Sequence, residues 1–268
     1  MKTVFFDIDG TLVDFPRGLK APSAKTRYAF EQLKKNNHRA IIASGRVKGM
    51  LPKEIVELNP SGFLLGNGSY LEIDGRELFS DEIPEEYISR VIEYCKNNEG
   101  IYYVETEDKL FTNGINNPYH EQLIRDFEDE TSYADISLRD DSKVNMMGAI
   151  FKDDEAGLRF FETFKDVLDL RQQFFGMPYY DINALVSNKG NAIRKYINLE
   201  GLTKEDCFAF GDSYNDLEMM GEVKYSIAMG NAIDDVKKLA YDITEDVLDE
   251  GVYNALVRYS LIDKTEDA

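Results

Sequence analysis

Two aspartates and a threonine follow the first apolar run of the chain. Residues 4–6 are Val-Phe-Phe and lead into Asp7-Ile-Asp9-Gly-Thr11, a pattern typical of a buried parallel strand that ends in a polar loop. In an extended chain, Asp7 and Asp9 present both carboxylates on one face. Such carboxylates repel each other unless a divalent cation lies between them or one is protonated, and Thr11 adds a hydroxyl for an anion. The alternative is an Asx turn that only shapes the loop.

A second polar group follows the predicted strand 39–43. Ser44-Gly-Arg46 stands there, so Ser44 is placed to donate to a phosphate oxygen, with Arg46 as a second anion contact. An equally simple interpretation makes Ser44 a helix N-cap and Arg46 an ordinary surface side chain.

Lys189 stands at the predicted start of a helix, next to Gly190. The helix dipole disfavours a cation there and favours a bound anion, so the lysine indicates an anion-binding role. The alternative is a solvated lysine at a helix end.

Two further aspartates follow the predicted strand 207–210. Asp212 lies at the carboxyl end of that strand, and Asp216 comes four residues later, one turn into the next helix. Both are expected to face the cation predicted at Asp7. A third carboxylate at a second strand end is hard to explain as turn chemistry.

The predicted elements that must position these groups change character twice along the chain. A βαβαβ pattern with a hairpin around Asp74-Gly75 comes first, a run of α+β units follows, and an α/β pattern returns at the end. The fold class is therefore α/β, a parallel sheet flanked by helices with an inserted α+β domain. We predict a discontinuous core domain, 1–82 and 187–268, and an inserted domain, 83–186. Individual predictions include a helix with apolar positions from Met50 to Leu58, a helix near 118–128, a helix carrying Phe160 through Leu168, a helix opening at 230–232 and a frayed tail at 263–268.

Composition narrows the class of protein. The 268 residues are 43% hydrophobic and 30% charged, and the formal net charge is -19. Such a surface repels nucleic acid and anionic membranes, whereas a bound cation can still admit a phosphorylated substrate.

The two cysteines, Cys95 and Cys207, lie in apolar settings, and no signal peptide or apolar run of roughly 20 residues is present. A cytoplasmic protein with reduced, buried thiols is predicted. With two histidines in the chain, a histidine-based triad is disfavoured.

Four motifs in order resemble those of the haloacid dehalogenase superfamily: Asp7-x-Asp9-Gly-Thr11, Ser44-Gly-Arg46, Lys189-Gly190 and Gly211-Asp212-x-x-Asn215-Asp216. Asn67-Gly68, the stretch 229–232 and the large insert resemble the Cof-type phosphatase branch with a C2-type α/β cap. The Asp-x-Asp pattern is that of the superfamily's phosphatases rather than its dehalogenases. The resemblance implies a Rossmann-like core with an inserted cap.

The resemblance also implies roles for these residues. Asp7 would be the nucleophile that forms an aspartyl-phosphate, and Asp9 the acid and base, with its main-chain carbonyl facing Mg²⁺. Asp212 would bind Mg²⁺ directly and Asp216 through a water. Ser44 and Lys189 would hold the transferring phosphoryl group. Further phosphate or substrate contacts would come from Thr11, Arg46, Asn67 and Asn215.

The expected function is that of a Mg²⁺-dependent phosphatase for small phosphorylated metabolites, with sugar phosphates first and pyridoxal phosphate or flavin mononucleotide behind. A phosphomutase or phosphotransferase with the same intermediate, and a non-catalytic aspartyl-phosphate regulator, remain alternatives. Tyr214 and the stretch 181–183 depart from the family pattern and bear on substrate fit. The oligomeric state is expected to be a monomer or a weak dimer.

Overall fold

The chain divides into two compact units. The computed structural model describes residues 1–106, 110–114, 133–134, 143–174 and 178–265. The core unit comprises residues 1–45, 51–79 and 188–268, and the insert unit comprises 46–50 and 80–187. The assignment of independent domains to 1–82 with 187–268 and to 83–186 stays a prediction.

The described elements follow the predicted order. The strands are β1 (Thr3–Phe6), β2 (Arg39–Ala43), β3 (Gly62–Leu65), β4 (Tyr70–Ile73), β5 (Arg76–Ser80), β6 (Ile101–Thr106), β7 (Leu110–Thr112), β8 (Tyr133–Ala134), β9 (Val144–Ile150), β10 (Leu168–Phe174), β11 (Pro178–Ala184), β12 (Cys207–Gly211), β13 (Tyr225–Ala228) and β14 (Asp242–Ile243). The α-helices are α1 (Ala24–Lys35), α2 (Lys53–Val56), α3 (Glu85–Asn97), α4 (Asp154–Phe164), α5 (Lys189–Glu200), α6 (Leu217–Glu222), α7 (Asp234–Leu239) and α8 (Gly251–Arg258).

The core unit is built on one sheet with the strand order β14-β13-β12-β1-β2-β3-β4-β5. The strands from β14 to β3 are parallel, and β4 returns antiparallel to β3. Phe6, at the end of β1, pairs with Phe210 of β12 on one side and with Ile42 of β2 on the other. Because carboxyl ends of parallel strands share one edge, Asp7, Ser44 and the segment after β12 meet there. The predicted α/β fold is confirmed.

Helices cover both faces of this sheet. Val4 and Phe6 point to a face packed by α1 and α8, while Phe5 points to the opposite face, packed by α5. All three side chains are fully buried. Burying an aromatic or aliphatic side chain contributes roughly 1.5–3 kcal/mol, so the apolar run before Asp7 anchors the loop that follows it.

The insert unit has a separate sheet with the order β10-β11-β9-β6-β7-β8. Its pairs are antiparallel, apart from the parallel pair β7–β8. The helices α3 and α4 pack on one face through an apolar cluster that includes Val91, Phe160 and Met147. Phe160 and Phe164, which the sequence placed on a helix, are buried in this cluster.

Three predicted elements differ from the structure. The helix predicted across Met50 to Leu58 is one turn, α2, because Pro52 precedes it and Asn59 adopts a left-handed conformation just after it. Leu168 begins β10 instead of ending α4, although it lies four residues after Phe164. A single apolar residue fits either period, so spacing alone did not decide its element.

The third difference concerns residues 230–232, which were predicted to open a helix. They form a turn, and α7 begins at Asp234 with Ile233 as its N-cap. The side chain of Asn231 is engaged in long-range hydrogen bonds in that turn. The helix predicted near 118–128 and the last residues of the predicted frayed tail lie outside the described residues.

Helices in the described part of the chain are each too short or too polar to cross a bilayer. Cys95 and Cys207 are free and buried, as predicted. Burial raises the pKa of each thiol to about 12.

Candidate active site

Lys189 is the buried centre of the candidate site. The Nζ atom lies 2.5 Å from Asp7 Oδ1 and 2.7 Å from Asp216 Oδ1. It is fully enclosed, so the interpretation as a solvated helix-end lysine is wrong. The helix start is fixed by Asn188, whose side chain accepts a hydrogen bond from the backbone N–H of Asn191. The neighbouring carboxylates outweigh the desolvation of burial and raise the pKa of Lys189, so the ammonium stays charged.

Asp216 fixes the loop after β12 as well as the lysine. Its Oδ2 accepts hydrogen bonds from the backbone N–H groups of Asp212 at 2.9 Å and Ser213 at 3.1 Å. A Cβ at Gly211 would lie 2.6 Å from Asp216 Cγ, so glycine is required for this approach. Asp216 itself lies in a 3-10 turn, Tyr214–Asp216, one residue before α6.

Asp212 lies against the loop that carries Asp7. Thr11 Oγ1 donates to Asp212 Oδ1 at 3.4 Å. Gly10 has a φ of 82°, and a Cβ there would lie 2.2 Å from Asp212 Oδ2. The left-handed conformation and the close approach both demand glycine at this position. Motifs at opposite ends of the chain are thereby packed together.

The carboxylates of the site are short of positive charge. Burial, followed by repulsion from Asp216, raises the pKa of Asp7 to about 7, although Lys189 opposes the shift. Burial, followed by repulsion from Asp7, raises the pKa of Asp212 to about 9. One ammonium therefore does not neutralise three neighbouring carboxylates.

The donor set fits a divalent cation. Asp7, Asp212 and Asp216 each offer a carboxylate oxygen within 4.8 Å of the others. Hard oxygen ligands from carboxylates are those that Mg²⁺ takes in proteins, and a dication would supply the missing charge. The carboxylate of Asp9 is not in this group, but it is close enough for its charge to raise the pKa of Asp7 further. Asp9 is exposed, in contrast to Asp7.

A glycine-containing turn joins the ends of β2 and β3 to the start of α5. The backbone N–H of Asn67 donates to the Ser44 carbonyl at 3.1 Å. Gly68 has a φ of 97°, and a Cβ there would lie 2.4 Å from the Asn188 carbonyl oxygen and 2.9 Å from the Lys189 nitrogen. Ser44 and Asn67 are both buried. The turn therefore packs directly on the backbone that presents Lys189.

Two predicted phosphate contacts have other surroundings. Arg46 belongs to the insert unit, is buried, and donates from Nη1 to the Met50 carbonyl at 3.2 Å. It is therefore not an ordinary surface side chain. In the same unit its charge acts on Glu105. Asn215 stays beside the site motif, where its Oδ1 accepts from Ser213 Oγ at 2.7 Å. Phosphate-binding roles for both residues stay predictions.

Asn231 lies in the stretch 229–232, which resembles the Cof-type branch, and the sequence predicted no role for it. Its side chain donates to the Gly10 carbonyl at 2.7 Å and accepts from the backbone N–H of Val247 at 3.0 Å. The signal for this residue in the sequence was the resemblance of the Met-Gly-Asn-Ala stretch to the family. Local patterns could not reveal its two partners, because they lie 221 and 16 positions away.

A family model described as haloacid dehalogenase-like hydrolase matches residues 4–256, and the chain belongs to this family. It is similar to the 5-amino-6-(5-phospho-D-ribitylamino)uracil phosphatase YitU of Bacillus subtilis (strain 168), with 25% identity over 272 residues that cover 96% of each chain. It is also similar to the phosphoglycolate phosphatase of Methanobrevibacter smithii, with 24% identity over 261 residues, 95% of this chain and 97% of the relative.

The solved structure of BT1666, a phosphatase of this superfamily from Bacteroides thetaiotaomicron, has the same fold. The TM-score is 0.85 at 21% identity, and the match covers 98% of this chain and 96% of that chain. The resemblance to the phosphatase branch is confirmed, and the chain is a phosphatase-type hydrolase.

Proposed function

We propose that this protein is a Mg²⁺-dependent phosphatase that hydrolyses small organic phosphomonoesters through an aspartyl-phosphate at Asp7. The observation that carries the proposal is the buried bridge from Lys189 to Asp7 and Asp216, beside a third carboxylate at Asp212. A nucleophilic carboxylate needs such surroundings, because it must approach a phosphate that carries charge of the same sign.

In the first step an oxygen of Asp7 attacks phosphorus, and the bond from phosphorus to the ester oxygen breaks. The leaving oxygen takes a proton from Asp9. Asp9 suits this role because it is exposed and adjoins Asp7, whereas Asp7 is enclosed.

In the second step Asp9 accepts a proton from a water molecule, and that water's oxygen attacks phosphorus. The bond from phosphorus to Asp7 breaks, which releases inorganic phosphate and restores the carboxylate. Each proton lost by Asp9 in the first step is thus regained in the second.

Lys189 and the three carboxylates have separate roles at the site. When bound to Asp7 and Asp212, Mg²⁺ would offset the repulsion between carboxylate and phosphate and align them. The Asp216 oxygens already accept hydrogen bonds from Lys189, Asp212 and Ser213, which supports the predicted contact through a water. Lys189 and Ser44 hold the phosphoryl oxygens, with Thr11 beside them.

Sugar phosphates and sugar-alcohol phosphates are the first substrates to test. The YitU relative acts, by its name, on a phosphoribitylamino compound, and the other curated relative acts on phosphoglycolate. These substrates share a primary alcohol phosphate and differ in the leaving group. Pyridoxal phosphate and flavin mononucleotide follow, since both also carry a primary phosphomonoester.

The test is phosphate release from a panel of phosphomonoesters, with Mg²⁺ and with a chelator. Asp7→Asn is expected to abolish release, because an amide cannot form the acyl phosphate. Asp235→Asn is the matched control, since it makes the same change at an exposed aspartate paired with Lys238. Release that persists in Asp7→Asn would contradict the proposal. An isomerised product would indicate a mutase, and a long-lived phosphate on Asp7 without turnover would indicate a regulator.

A further inference from the structure

The loop after β13, residues 229–233, is tied at both ends to the motif that carries Asp212. The backbone N–H of Met229 donates to the Gly211 carbonyl at 3.1 Å, and that of Ile233 donates to the Asp212 carbonyl at 2.9 Å. The loop and the Gly211–Asp212 segment therefore form one hydrogen-bonded assembly. A Cβ at Gly230 would lie 2.5 Å from the Asp246 nitrogen, so the loop is also packed tightly on its other side.

Asn231 projects from this assembly to the loop that carries Asp7. Its Nδ2 donates to the Gly10 carbonyl at 2.7 Å, and its Oδ1 accepts from the backbone N–H of Val247 at 3.0 Å. A carbonyl only accepts and a backbone N–H only donates, so the amide fits in one orientation. The side chain is thus fixed at both ends.

The segment held by Asn231 already lies against Asp212. Gly10 packs on the Asp212 carboxylate, and Thr11 donates to the same group. Asn231 holds the Gly10 carbonyl from a separate loop. The distance from the Asp7 loop to Asp212 is therefore set by contacts on both sides of Gly10.

We propose that Asn231 is a positioning residue that sets the spacing between the Asp7 loop and Asp212, and through it the affinity of the three carboxylates for a divalent cation. Mg²⁺ and Mn²⁺ demand a narrow range of ligand distances, so a small displacement of one loop weakens binding. Groups that orient metal ligands typically change metal affinity about 10- to 100-fold when removed. The effect of Asn231 on catalysis rests on the proposed function, whereas its effect on cation affinity does not.

The experiment measures Mn²⁺ affinity from the electron paramagnetic resonance signal of free Mn²⁺ in the wild type, Asn231→Ala and Asn231→Asp. Asn231→Asp keeps the acceptor for Val247 and replaces the donor to Gly10 by an oxygen. An added negative charge alone would strengthen cation binding, whereas loss of the Gly10 bond weakens it. We expect about tenfold weaker Mn²⁺ binding in both variants.

Asn36→Ala and Asn36→Asp are the matched controls. Asn36 also donates from Nδ2 to a backbone carbonyl, that of Leu261 at 3.0 Å, at the end of α1. We expect Mn²⁺ affinity to be unchanged in these controls. Urea unfolding of all variants measures how much each lost bond loosens the fold in general, and Asn231→Asp serves if Asn231→Ala does not fold.

Unchanged Mn²⁺ affinity in the Asn231 variants would overturn the inference, and so would an equal loss in the Asn36 controls. Phosphate release does not enter the test. A protein that binds Mn²⁺ through Asn231-dependent spacing but hydrolyses no ester would overturn the proposed function and still support this inference.

Discussion

Lys189 Nζ lies 2.5 Å from Asp7 Oδ1, although 182 positions separate the two residues in sequence. The same ammonium reaches Asp216 at 2.7 Å, and no part of the lysine is exposed. Removing one partner from a buried cluster of charges strongly destabilises the fold, because the remaining charges stay buried without a counter-charge.

Lys189→Met is therefore expected to lower the free energy of unfolding by about 3–5 kcal/mol, since it leaves two buried carboxylates without their cation. The catalytic rate should fall by about 10²-fold or more. Urea unfolding and phosphate release measure the two effects. Lys238→Met, at an exposed lysine paired with Asp235, should change neither. The double variant Lys189→Met with Asp216→Asn should regain stability without regaining activity, and recovery of both would contradict this account.

Gly68→Ala tests the turn that packs on the start of α5. A methyl group there would meet the Asn188 carbonyl and the Lys189 nitrogen, so Lys189 must shift. A shift of about 1 Å is expected to lower the catalytic rate roughly 10- to 100-fold. Gly201→Ala is the control, because Gly201 also has a positive φ, at the other end of α5, but has open space around it. Both variants should lose about 1 kcal/mol from backbone strain. Equal activity in the two variants would rule out the packing effect.

Mg²⁺ is expected to stabilise the folded protein through the carboxylate group. At a concentration of 100 times its Kd, it should raise the free energy of unfolding by about 2.7 kcal/mol, because it binds the folded state alone. Asp212→Asn should remove this gain, and Asp235→Asn should keep it. Thermal unfolding with Mg²⁺ and with a chelator measures the difference. An undiminished gain in Asp212→Asn would place the cation elsewhere on this acidic surface.

The raised pKa of Glu105 predicts how the stability of the insert unit depends on pH. Burial, followed by repulsion from Asp181, raises the pKa of Glu105 to about 8, and Arg46 opposes the shift. The pKa of Glu105 in the folded state lies above the unfolded value. The stabilising contribution of the protonated carboxyl is therefore fully present below pH 4.5 and is lost as the pH rises through 8. Urea unfolding free energies are expected to fall across this window.

Glu105→Gln should flatten that dependence and raise the stability at pH 8 by roughly 3–5 kcal/mol, because the amide has no charge to bury. Glu155→Gln makes the same change at an exposed position of α4 and should keep the wild-type dependence. A wild-type slope that survives in Glu105→Gln would refute the assignment to this carboxyl.

Local sequence was sufficient to predict the ends of the strands that carry the site. The apolar runs before Asp7 and Asp212 are buried strands because an enclosed parallel strand needs apolar side chains on both faces. The helix start at Lys189 was predictable from the residues around it in the same way. The four motifs occur in the same order as in the haloacid dehalogenase superfamily. This resemblance led to the expectation that they meet at one site.

Tertiary contacts were the part that local patterns did not reveal. Arg46 follows a core strand in sequence, yet it packs in the insert unit. Glu105 and Asp181 lie in two strands that flank β9, so their mutual repulsion depends on sheet order rather than on spacing. Asn231 acts through partners at Gly10 and Val247, which no periodicity connects to it.

The position of β1 between β2 and β12 has a consequence during biosynthesis. Thr11 and Asp212 are 201 positions apart, and ribosomes add about 5–20 residues per second. The apolar strand β1 therefore emerges roughly 10–40 seconds before its partner β12 exists. Through that interval the edge of β1 that later pairs with β12 has no partner strand, and such an open edge can pair with other chains. The cluster of Asp7, Asp212 and Asp216 is therefore complete only after Asp216 has been added to the chain.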